Sequence, residues 1–319
     1  MRVAVIGGTG FVGSYLIDQL VESGMKPVVL LRPGSEGKLR HADACEQVSG
    51  DLSDAEALDQ LLQGADAVIY SVGILRENPG RGITFDELQR AAPIRVMQAA
   101  QQAGIRRFLL MSANGVDADS TPYQSSKLAA ERALWESDLD GTVFRPSVIF
   151  GDPRGRDEFA SSLTRDIIAA PLPAPLFFEG LSLREAGRFE LSPVHVRDVA
   201  AAFVKSLSEP DTIGQTFELG GPETLSWQAI LGRLAEATGR RKLMLPAPAM
   251  GIAAVATLLD RFEFFPITRD QLRMLMQGNA CSDDALRSLG IEPTPFDPEH
   301  LAYLKTHLNA STPCRKNAA

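Results

Sequence analysis

A glycine-rich loop near the start of the chain constrains its fold most strongly. The apolar run Val3–Ile6 predicts a buried strand and Phe11–Ser23 predicts a helix, with the sequence GGTGFVG at Gly7–Gly13 between them. In a G-x-x-G-x-x-G loop the first glycine makes a tight turn, the second lets the backbone approach a pyrophosphate, and the third lets the helix pack closely on the strand. The start of a helix also offers N–H groups and partial positive charge to phosphates. The loop therefore predicts dinucleotide binding, with a purely structural turn as the alternative.

Apolar runs and amphipathic stretches alternate through the first half of the chain. The predicted strands after Val3–Ile6 are Pro27–Leu31, Glu46–Ser49, Ala67–Tyr70, Phe108–Met111 and Thr142–Phe144. The predicted helices after the first are Asp54–Gln63 with Ser53 as its cap, Thr84–Ala103 and Ser120–Ser137. Continuous apolar strands that alternate with helices indicate a parallel sheet covered on both faces. The predicted fold class is therefore α/β, a doubly wound parallel sheet of the Rossmann type.

The regular alternation of predicted strands and helices ends after residue 150. Residues 1–150 are predicted to form the dinucleotide-binding Rossmann core. Residues 151–310 are predicted to form a mixed region: a smaller, mainly helical substrate lobe, and one or two strands returned to the core by Val194–Leu207 and Thr216–Leu219. The polar residues 311–319 are predicted to be a disordered tail.

Composition and charge exclude several classes of function. The net charge is −8 and the pI is about 5.2, so the surface repels phosphate backbones and nucleic acid is not the expected partner. Three cysteines and four histidines are scattered without metal-ligand spacing, so neither a metal site nor a disulfide is predicted. The same pattern predicts a reducing compartment. The chain starts directly with a strand, so the predicted location is cytoplasmic.

One later segment, Leu245–Leu259, is strongly apolar but is shorter than a spanning helix and contains prolines. It predicts a core helix, with a helix that docks on a partner or on a membrane surface as the alternative. The sequence specifies no oligomeric state.

Side chains after later strands extend the predicted cofactor site. An acidic residue at the end of the second strand would select NAD, but Arg32 stands there, and a guanidinium can pair with a 2′-phosphate. NADP is therefore the predicted cofactor, with NAD and a solvated arginine left open. Asp51 is predicted either to accept from the adenine amino group or to cap a helix. The residues predicted to contact the dinucleotide are Gly7, Thr9, Gly10, Phe11, Val12, Gly13, Arg32, Asp51, Leu52, Ser71, Val72, Gly73, Met111, Lys127, Pro146 and Val148.

The candidate catalytic pair is Tyr123 and Lys127, in the pattern Y-x-x-x-K. Residues four apart share one face of a helix, so the two side chains project together. The ammonium is expected to lower the phenol pKa and to hold the nicotinamide ribose. A phenol positioned in this way can act as a general acid or base at a carbinol.

These motifs together resemble the short-chain dehydrogenase/reductase superfamily, in its extended or atypical branch. Further segments similar to that family are Phe144–Gly151, which borders the nicotinamide there, Pro193–Ala200 and Leu219–Pro222. The segments Phe265–Leu272 and Leu289–Thr294 resemble the subgroup that contains an accessory subunit of respiratory complex I, whose bacterial relatives are called epimerase/dehydratases.

The resemblance implies one of two functions, and a redox- or ligand-sensing regulator of the NADP-responsive kind is left open as a third. The first is an NADP(H)-dependent oxidoreductase or epimerase/dehydratase with an unknown small-molecule substrate. The alternative is a non-catalytic nucleotide-binding subunit or assembly factor of a membrane-associated respiratory assembly, peripheral to the inner face of the membrane.

One position departs from the family pattern. The third catalytic residue of the family is a serine just past the fifth strand, and alignment places Ala113 there, between Ser112 and Asn114. Either a neighbour substitutes, with Ser112 as the candidate, or the hydrogen bond to the substrate oxygen is missing.

Overall fold

The computed structural model describes residues 1–116, 121–180, 182–249, 268–281 and 284–310. The chain divides into two compact units. The first consists of Met1–Ser147, Val196–Gly220 and Cys281–Pro293, and the second consists of Val148–His195, Gly221–Ala280 and Thr294–Ala319. Two stretches of the region predicted at 151–310 therefore belong to the first unit. The predicted tail at 311–319 lies outside the described residues, and so do Phe265–Ile267 and most of the apolar segment.

The first unit contains a seven-stranded parallel sheet. Its strands are β1 Arg2–Ile6, β2 Lys26–Leu31, β3 Glu46–Ser49, β4 Ala67–Tyr70, β5 Arg107–Met111, β6 Asp140–Pro146 and β11 Gln215–Leu219. They lie in the order β11-β6-β5-β4-β1-β2-β3. The central strands are fully buried apolar runs, as in a sheet covered on both faces. The predicted doubly wound fold is confirmed, and within the described residues β11 is the strand that returns to the sheet.

Helices cover both faces of this sheet, and their ends differ from the predicted ones. The helices of the first unit are α1 Phe11–Glu22, α2 Ala55–Leu62, α3 Ala92–Gln102, α4 Pro122–Trp135, α6 Val196–Ser206 and the short α9 Ala285–Ser288. The predicted cap of α2, Ser53, is wrong: Asp54 accepts from the Ala57 N–H instead. The predicted helix from Thr84 is a π-helical turn, Asp86–Ala91, followed by α3.

The start of α4 is fixed by a capping box between Thr121 and Gln124. The Gln124 amide also donates to the Gly115 carbonyl at 2.7 Å, which ties the helix to the loop that follows β5. The predicted start at Ser120 lies outside the described residues.

The second unit is built from short paired strands and helices. Its strands are β7 Ile149–Phe150, β8 Ala174–Phe178, β9 Glu190–Leu191, β10 Val194–His195, β12 Leu225–Ser226 and β13 Met244–Pro248. They form the pairs β10-β7, β12-β9 and β13-β8. Its helices are α5 Phe159–Leu163, α7 Trp227–Ala237, α8 Arg269–Gln277 and α10 Tyr303–Ala310. The Trp227 ring packs between Phe177 and Phe189 at the centre of the core.

Two predictions for this region are wrong. Val194–Leu207 adds no strand to the main sheet, because Val194–His195 pairs with β7 and the following residues form α6. Leu245–Pro248 forms a strand instead of the start of a helix, since it pairs in parallel with Pro175–Phe178. Within the described residues, no helix is both long enough and apolar enough to cross a bilayer.

Candidate functional site

The loops after β1 and β4 lie side by side at the carboxyl edge of the sheet. β1 pairs with β2 on one side and with β4 on the other, so the strand order reverses between β1 and β4. The Ser71 N–H and hydroxyl both donate to the Ile6 carbonyl at 2.9 Å, which locks the two loops together. A crevice at such a switch point is where open α/β sheets bind their ligands.

Each glycine of the loop meets a different steric demand. Gly7 has a φ of +95°, and a Cβ on it would lie 2.8 Å from the Ser71 hydroxyl. A Cβ on Gly13 would lie 2.0 Å from the Gly7 carbonyl oxygen, so α1 can start this close to the loop only without a side chain there. Gly10 is exposed and precedes α1 without contributing a capping side chain. The first turn of α1 is therefore presented to an anion by bare backbone.

The remaining predicted residues of this loop lie around the start of α1. Thr9 and Phe11 are half-buried, and Val12 is buried. The Phe11 ring contacts Tyr15 edge to face, with 6.0 Å between ring centroids.

The side chains predicted for the adenosine end follow β2 and β3. Arg32 directly follows β2 and its side chain is exposed. One Asp51 carboxylate oxygen accepts from both the N–H and the hydroxyl of Ser53, at 2.7 and 2.5 Å, which lowers the pKa of Asp51. Asp51 therefore stabilises the turn before α2, while Asp54 is the cap. The Leu52 carbonyl accepts from Arg95 at 2.9 Å.

Lys127 connects the ends of two central strands. Its side chain is 4% exposed, and its ammonium donates to the Val72 carbonyl at 3.2 Å and to the Met111 carbonyl at 2.9 Å. A Cβ on Gly73 would lie 3.6 Å from the Lys127 Nζ atom, so this glycine leaves room beside the ammonium. Burial lowers the pKa of Lys127 to about 8, and the carboxylate of Glu131 opposes that shift.

Tyr123 stands one helical turn before Lys127 and is half-buried. Its ring meets Phe85 edge to face, with 5.7 Å between ring centroids. Burial raises the pKa of Tyr123 to about 12, so the predicted lowering by Lys127 is wrong for this structure. The reason is geometric: the ammonium is directed to the Val72 and Met111 carbonyls.

The loop after β5 carries the residues that flank Ala113 and could replace the catalytic serine of the family. Ser112 is buried, its N–H donates to the Phe144 carbonyl at 2.7 Å, and its hydroxyl has no hydrogen-bond partner among the described residues. The Asn114 N–H donates to the Pro146 carbonyl at 3.0 Å, and its side-chain amide donates to the Cys281 sulfur at 3.3 Å. Sequence reasoning missed the cysteine, because 167 positions separate it from Asn114.

Val148 is the predicted cofactor residue that belongs to the second unit. Its carbonyl accepts from the Val194 N–H at 3.0 Å, next to the pairing of β7 with β10.

Two buried polar residues near Lys127 were also missed. Gln89, on the π-helical turn, donates to the Ile74 carbonyl at 2.7 Å and accepts from the Ser126 hydroxyl at 3.0 Å. Glu131, on α4, pairs with Arg145 on β6. The signal for Glu131 was its spacing of four residues after Lys127, whereas the π-helical turn that places Gln89 leaves no pattern in the sequence.

These features fit a dinucleotide. The backbone at Gly7, Gly10 and Gly13 carries no side chains, and a Cβ on Gly7 or Gly13 would clash with the Ser71 hydroxyl or the Gly7 carbonyl oxygen. The Lys127 ammonium lies at the same edge of the sheet, where it can hold ribose hydroxyls, and Arg32 supplies an exposed cation at the end of β2, the strand next to β1.

Comparison with known proteins agrees with this geometry. A family model described as NAD(P)H-binding matches residues 7–166. Alpha subcomplex subunit 9 of the mitochondrial NADH dehydrogenase (ubiquinone) is 30% identical in Arabidopsis thaliana, over 89% of this chain and 70% of that protein. The mouse protein of the same name is 26% identical, over 95% of this chain and 79% of that protein.

A bacterial enzyme and a solved structure extend the comparison. The ceramide reductase of Caulobacter vibrioides is 28% identical over 81% of this chain and 77% of that enzyme. The structure of Thermus thermophilus UDP-glucose 4-epimerase with NAD superposes with a TM-score of 0.71 at 19% identity, covering 98% of this chain and all of the epimerase. The chain therefore belongs to the NAD(P)H-binding family, with the Rossmann fold of the extended or atypical short-chain dehydrogenase/reductases.

Proposed function

We propose that the protein is an NADP(H)-dependent oxidoreductase that reduces a carbonyl group, with Tyr123 as the proton donor and Lys127 as its partner. One observation carries this proposal. The Lys127 ammonium is fixed between the carbonyls of Val72 and Met111, and Tyr123 lies one helical turn away on the same face of α4. The relatives include a named reductase, which agrees with this chemistry.

Tyr123 and Lys127 have different proposed roles. The nicotinamide, when bound, supplies the hydride. Burial raises the pKa of Tyr123 to about 12, so the phenol is protonated at neutral pH and has a proton to donate to the oxygen of the forming alcohol. Lys127, with a pKa near 8, is mostly charged at pH 7, and its ammonium beside the Val72 and Met111 carbonyls is the proposed donor to the ribose hydroxyls of the cofactor.

Ser112 is the proposed second hydrogen-bond donor to the substrate oxygen. Ala113 offers no hydroxyl, whereas the Ser112 hydroxyl is buried without a partner among the described residues. A buried hydroxyl in that state gains a hydrogen bond when an acceptor arrives, which supports a role in substrate binding.

Arg32 supports the preference for NADP. The 2′-phosphate of NADP would stand at the end of β2, where Arg32 is exposed and where an acidic residue would select NAD. A guanidinium can form two hydrogen bonds to a phosphate.

A second candidate function is a nucleotide-binding subunit of a membrane-associated respiratory assembly. Ala113 at the serine position favours it, and so do the relatives named as subunits of NADH dehydrogenase. The dinucleotide would then stabilise the fold by binding only the native state, without turnover. The protein would be peripheral to the inner face of the membrane.

One experiment separates the two functions. The purified protein is incubated with NADPH or NADH and a panel of aldehydes, ketones and nucleotide-sugars, and Tyr123→Phe is compared with Tyr70→Phe. The control removes a buried hydroxyl that donates to the Leu88 carbonyl in the core. We expect Tyr123→Phe to lower turnover by about 10²–10⁴-fold with cofactor affinity retained.

The other outcomes decide against the oxidoreductase. If no substrate is turned over while NADPH still raises the melting temperature, the subunit function replaces it. If turnover is found and Tyr123→Phe leaves it intact, the protein is an enzyme but Tyr123 is not its proton donor.

A further inference from the structure

A buried carboxylate lies one helical turn beyond Lys127. Glu131 is 1% exposed, and the spacing of four residues places Tyr123, Lys127 and Glu131 in a row along one face of α4. An ionised carboxylate in such surroundings is costly unless charged or hydrogen-bonding groups compensate for it.

Arg145 holds this carboxylate from the neighbouring strand. Its Nε and Nη2 atoms donate to the two oxygens of Glu131 at 3.0 and 2.5 Å, a two-pronged contact that fixes the orientation of the carboxylate. Arg145 stands opposite Glu218 in the register of β6 and β11. Positive and negative side chains therefore alternate from Lys127 through Glu131 and Arg145 to Glu218.

Lys127 itself has few compensating groups. Its hydrogen-bond acceptors are neutral carbonyls, and Tyr123 on the same helix face is a neutral phenol at pH 7. Among the residues that the structure describes, Glu131 is the anion that acts on Lys127. A buried ammonium without an anion nearby tends to release its proton.

We propose that Glu131 is a positioning residue that keeps Lys127 protonated beneath the cofactor, and that Arg145 holds the carboxylate in the orientation this requires. The inference rests on the proposed function in so far as Lys127 serves the dinucleotide. Glu131 acts through Lys127 and touches neither substrate nor cofactor.

A consequence for pH dependence follows. The pKa of Lys127 is already lowered to about 8, so loss of the opposing carboxylate lowers it further. The ammonium then deprotonates within the physiological range, and the alkaline limit of cofactor binding moves to lower pH. The expected displacement is about one pH unit or more, given the strength of charge pairs at buried sites.

The charge of Lys127 can be measured without turnover or cofactor. The chain has seven lysines, so NMR titration of lysine labelled with ¹³C at Cε follows each one, and Lys127→Met identifies the signal of Lys127. In Glu131→Gln we expect the titration midpoint to fall from about 8 by about one pH unit or more. Glu131→Asp, which keeps the charge, should stay closer to the wild type.

Glu218→Gln is the matched control, since it removes a carboxylate one step further along the same row of charges. The Lys127 midpoint should not move in this variant. If Glu131→Gln does not fold, the double variant Glu131→Gln/Arg145→Met, which does not leave the Arg145 guanidinium without its carboxylate, replaces it with the same expectation. An unchanged midpoint in the Glu131 variants, or an equal fall in Glu218→Gln, would overturn the proposal.

NADPH affinity across the pH range then distinguishes this inference from the proposed function. If Lys127→Met leaves affinity unchanged while Glu131→Gln still moves the midpoint, the inference holds and the assigned role of Lys127 in cofactor binding fails. If Lys127→Met weakens affinity and Glu131→Gln moves neither the midpoint nor the affinity profile, the inference alone fails.

Discussion

Lys127 in the first unit and Glu158 in the second are both buried ionisable side chains, but their surroundings differ. Glu158 is the cap of α5: its carboxylate accepts from the N–H groups of Ala160 and Ser161 and from the Tyr303 hydroxyl. Lys127 instead donates to the Val72 carbonyl, in the loop after β4, and to the Met111 carbonyl at the end of β5.

Burial displaces both pKa values, and the displacement alone does not identify a functional group. It raises the pKa of Glu158 to about 7 and lowers that of Lys127 to about 8. Every partner of Glu158 named above belongs to a helix start or to the core, so its role is structural. Lys127 lies one helical turn from Tyr123 and contacts the loop after β4 and the end of β5 at the carboxyl edge of the sheet, and that neighbourhood supports a role in chemistry.

The two groups also affect stability in opposite directions with pH. Between pH 4.5 and about pH 7 the folded chain holds the Glu158 proton more tightly than the unfolded chain. The contribution of Glu158 to stability is therefore full below pH 4.5 and is lost as the pH rises through 7. Between about 8 and 10.5 the unfolded chain binds the Lys127 proton more tightly. The contribution of Lys127 is therefore full above 10.5 and is lost as the pH falls through 8.

The largest expected effect follows from Lys127→Met. Turnover should fall by about 10²–10⁴-fold, and NADPH affinity should fall with it, because Lys127 is proposed to hold the nicotinamide ribose beside the Tyr123 phenol. Stability without cofactor at pH 7 should stay the same or rise, since a buried cation is removed. Steady-state kinetics, calorimetry and denaturant unfolding measure the three quantities. A variant that is less stable and keeps full turnover would place Lys127 with Glu158 among the structural groups.

The next effect concerns Glu158→Gln. Between pH 4.5 and 7.5 the free energy of unfolding of the wild type should fall by on the order of 3 kcal/mol relative to that of the variant. The reason is that folding raises the pKa of Glu158 from 4.5 to about 7, and each pKa unit corresponds to about 1.4 kcal/mol. Denaturant unfolding at several pH values measures the difference. NADPH affinity should not change. Parallel stability curves for the two proteins would show that Glu158 is not the titrating group.

The smallest expected effect concerns Arg32, an exposed cation that contrasts with the two buried groups. Arg32→Ala should weaken NADPH binding by about tenfold or more and leave NADH binding nearly unchanged, since a hydrogen bond to a charged group contributes about 1.5–3 kcal/mol. Lys26→Ala, which removes an exposed cation at the other end of the same strand, is the control. Calorimetric titration with both cofactors gives the ratio of the NADPH affinity to the NADH affinity for each variant. An equal loss for NADPH and NADH would show that Arg32 does not read the 2′-phosphate.

The fold is predictable because its signals are local. A buried strand, a glycine loop and a helix follow one another within the first 23 residues, and the same alternation repeats along the first half of the chain. The spacing of Tyr123 and Lys127 is a local signal of the same kind, since four residues of separation suffice to indicate a shared helix face.

What the sequence could not supply depends on long-range contacts. Burial by the tertiary fold raises the pKa of Tyr123, and the Lys127 ammonium is directed instead to carbonyls in the loop after β4 and at the end of β5. The partner of Asn114 is Cys281, which only the tertiary fold brings close. The cap of α2 was misplaced by one residue because serine and aspartate are comparable caps, and the local turn decides between Ser53 and Asp54.

The division of the first unit into three stretches of chain has a consequence for its synthesis. The outer strand Gln215–Leu219 pairs with Asp140–Pro146, about 70 residues earlier, as the hydrogen bond from Thr142 to the Thr212 carbonyl illustrates. Until the ribosome has delivered that strand, the nascent sheet exposes the unpaired N–H and C=O groups of a strand edge, which invite aggregation. In a protein shortened to its first 150 residues β6 would remain the edge of the sheet, so we expect that fragment to aggregate more readily than the full chain.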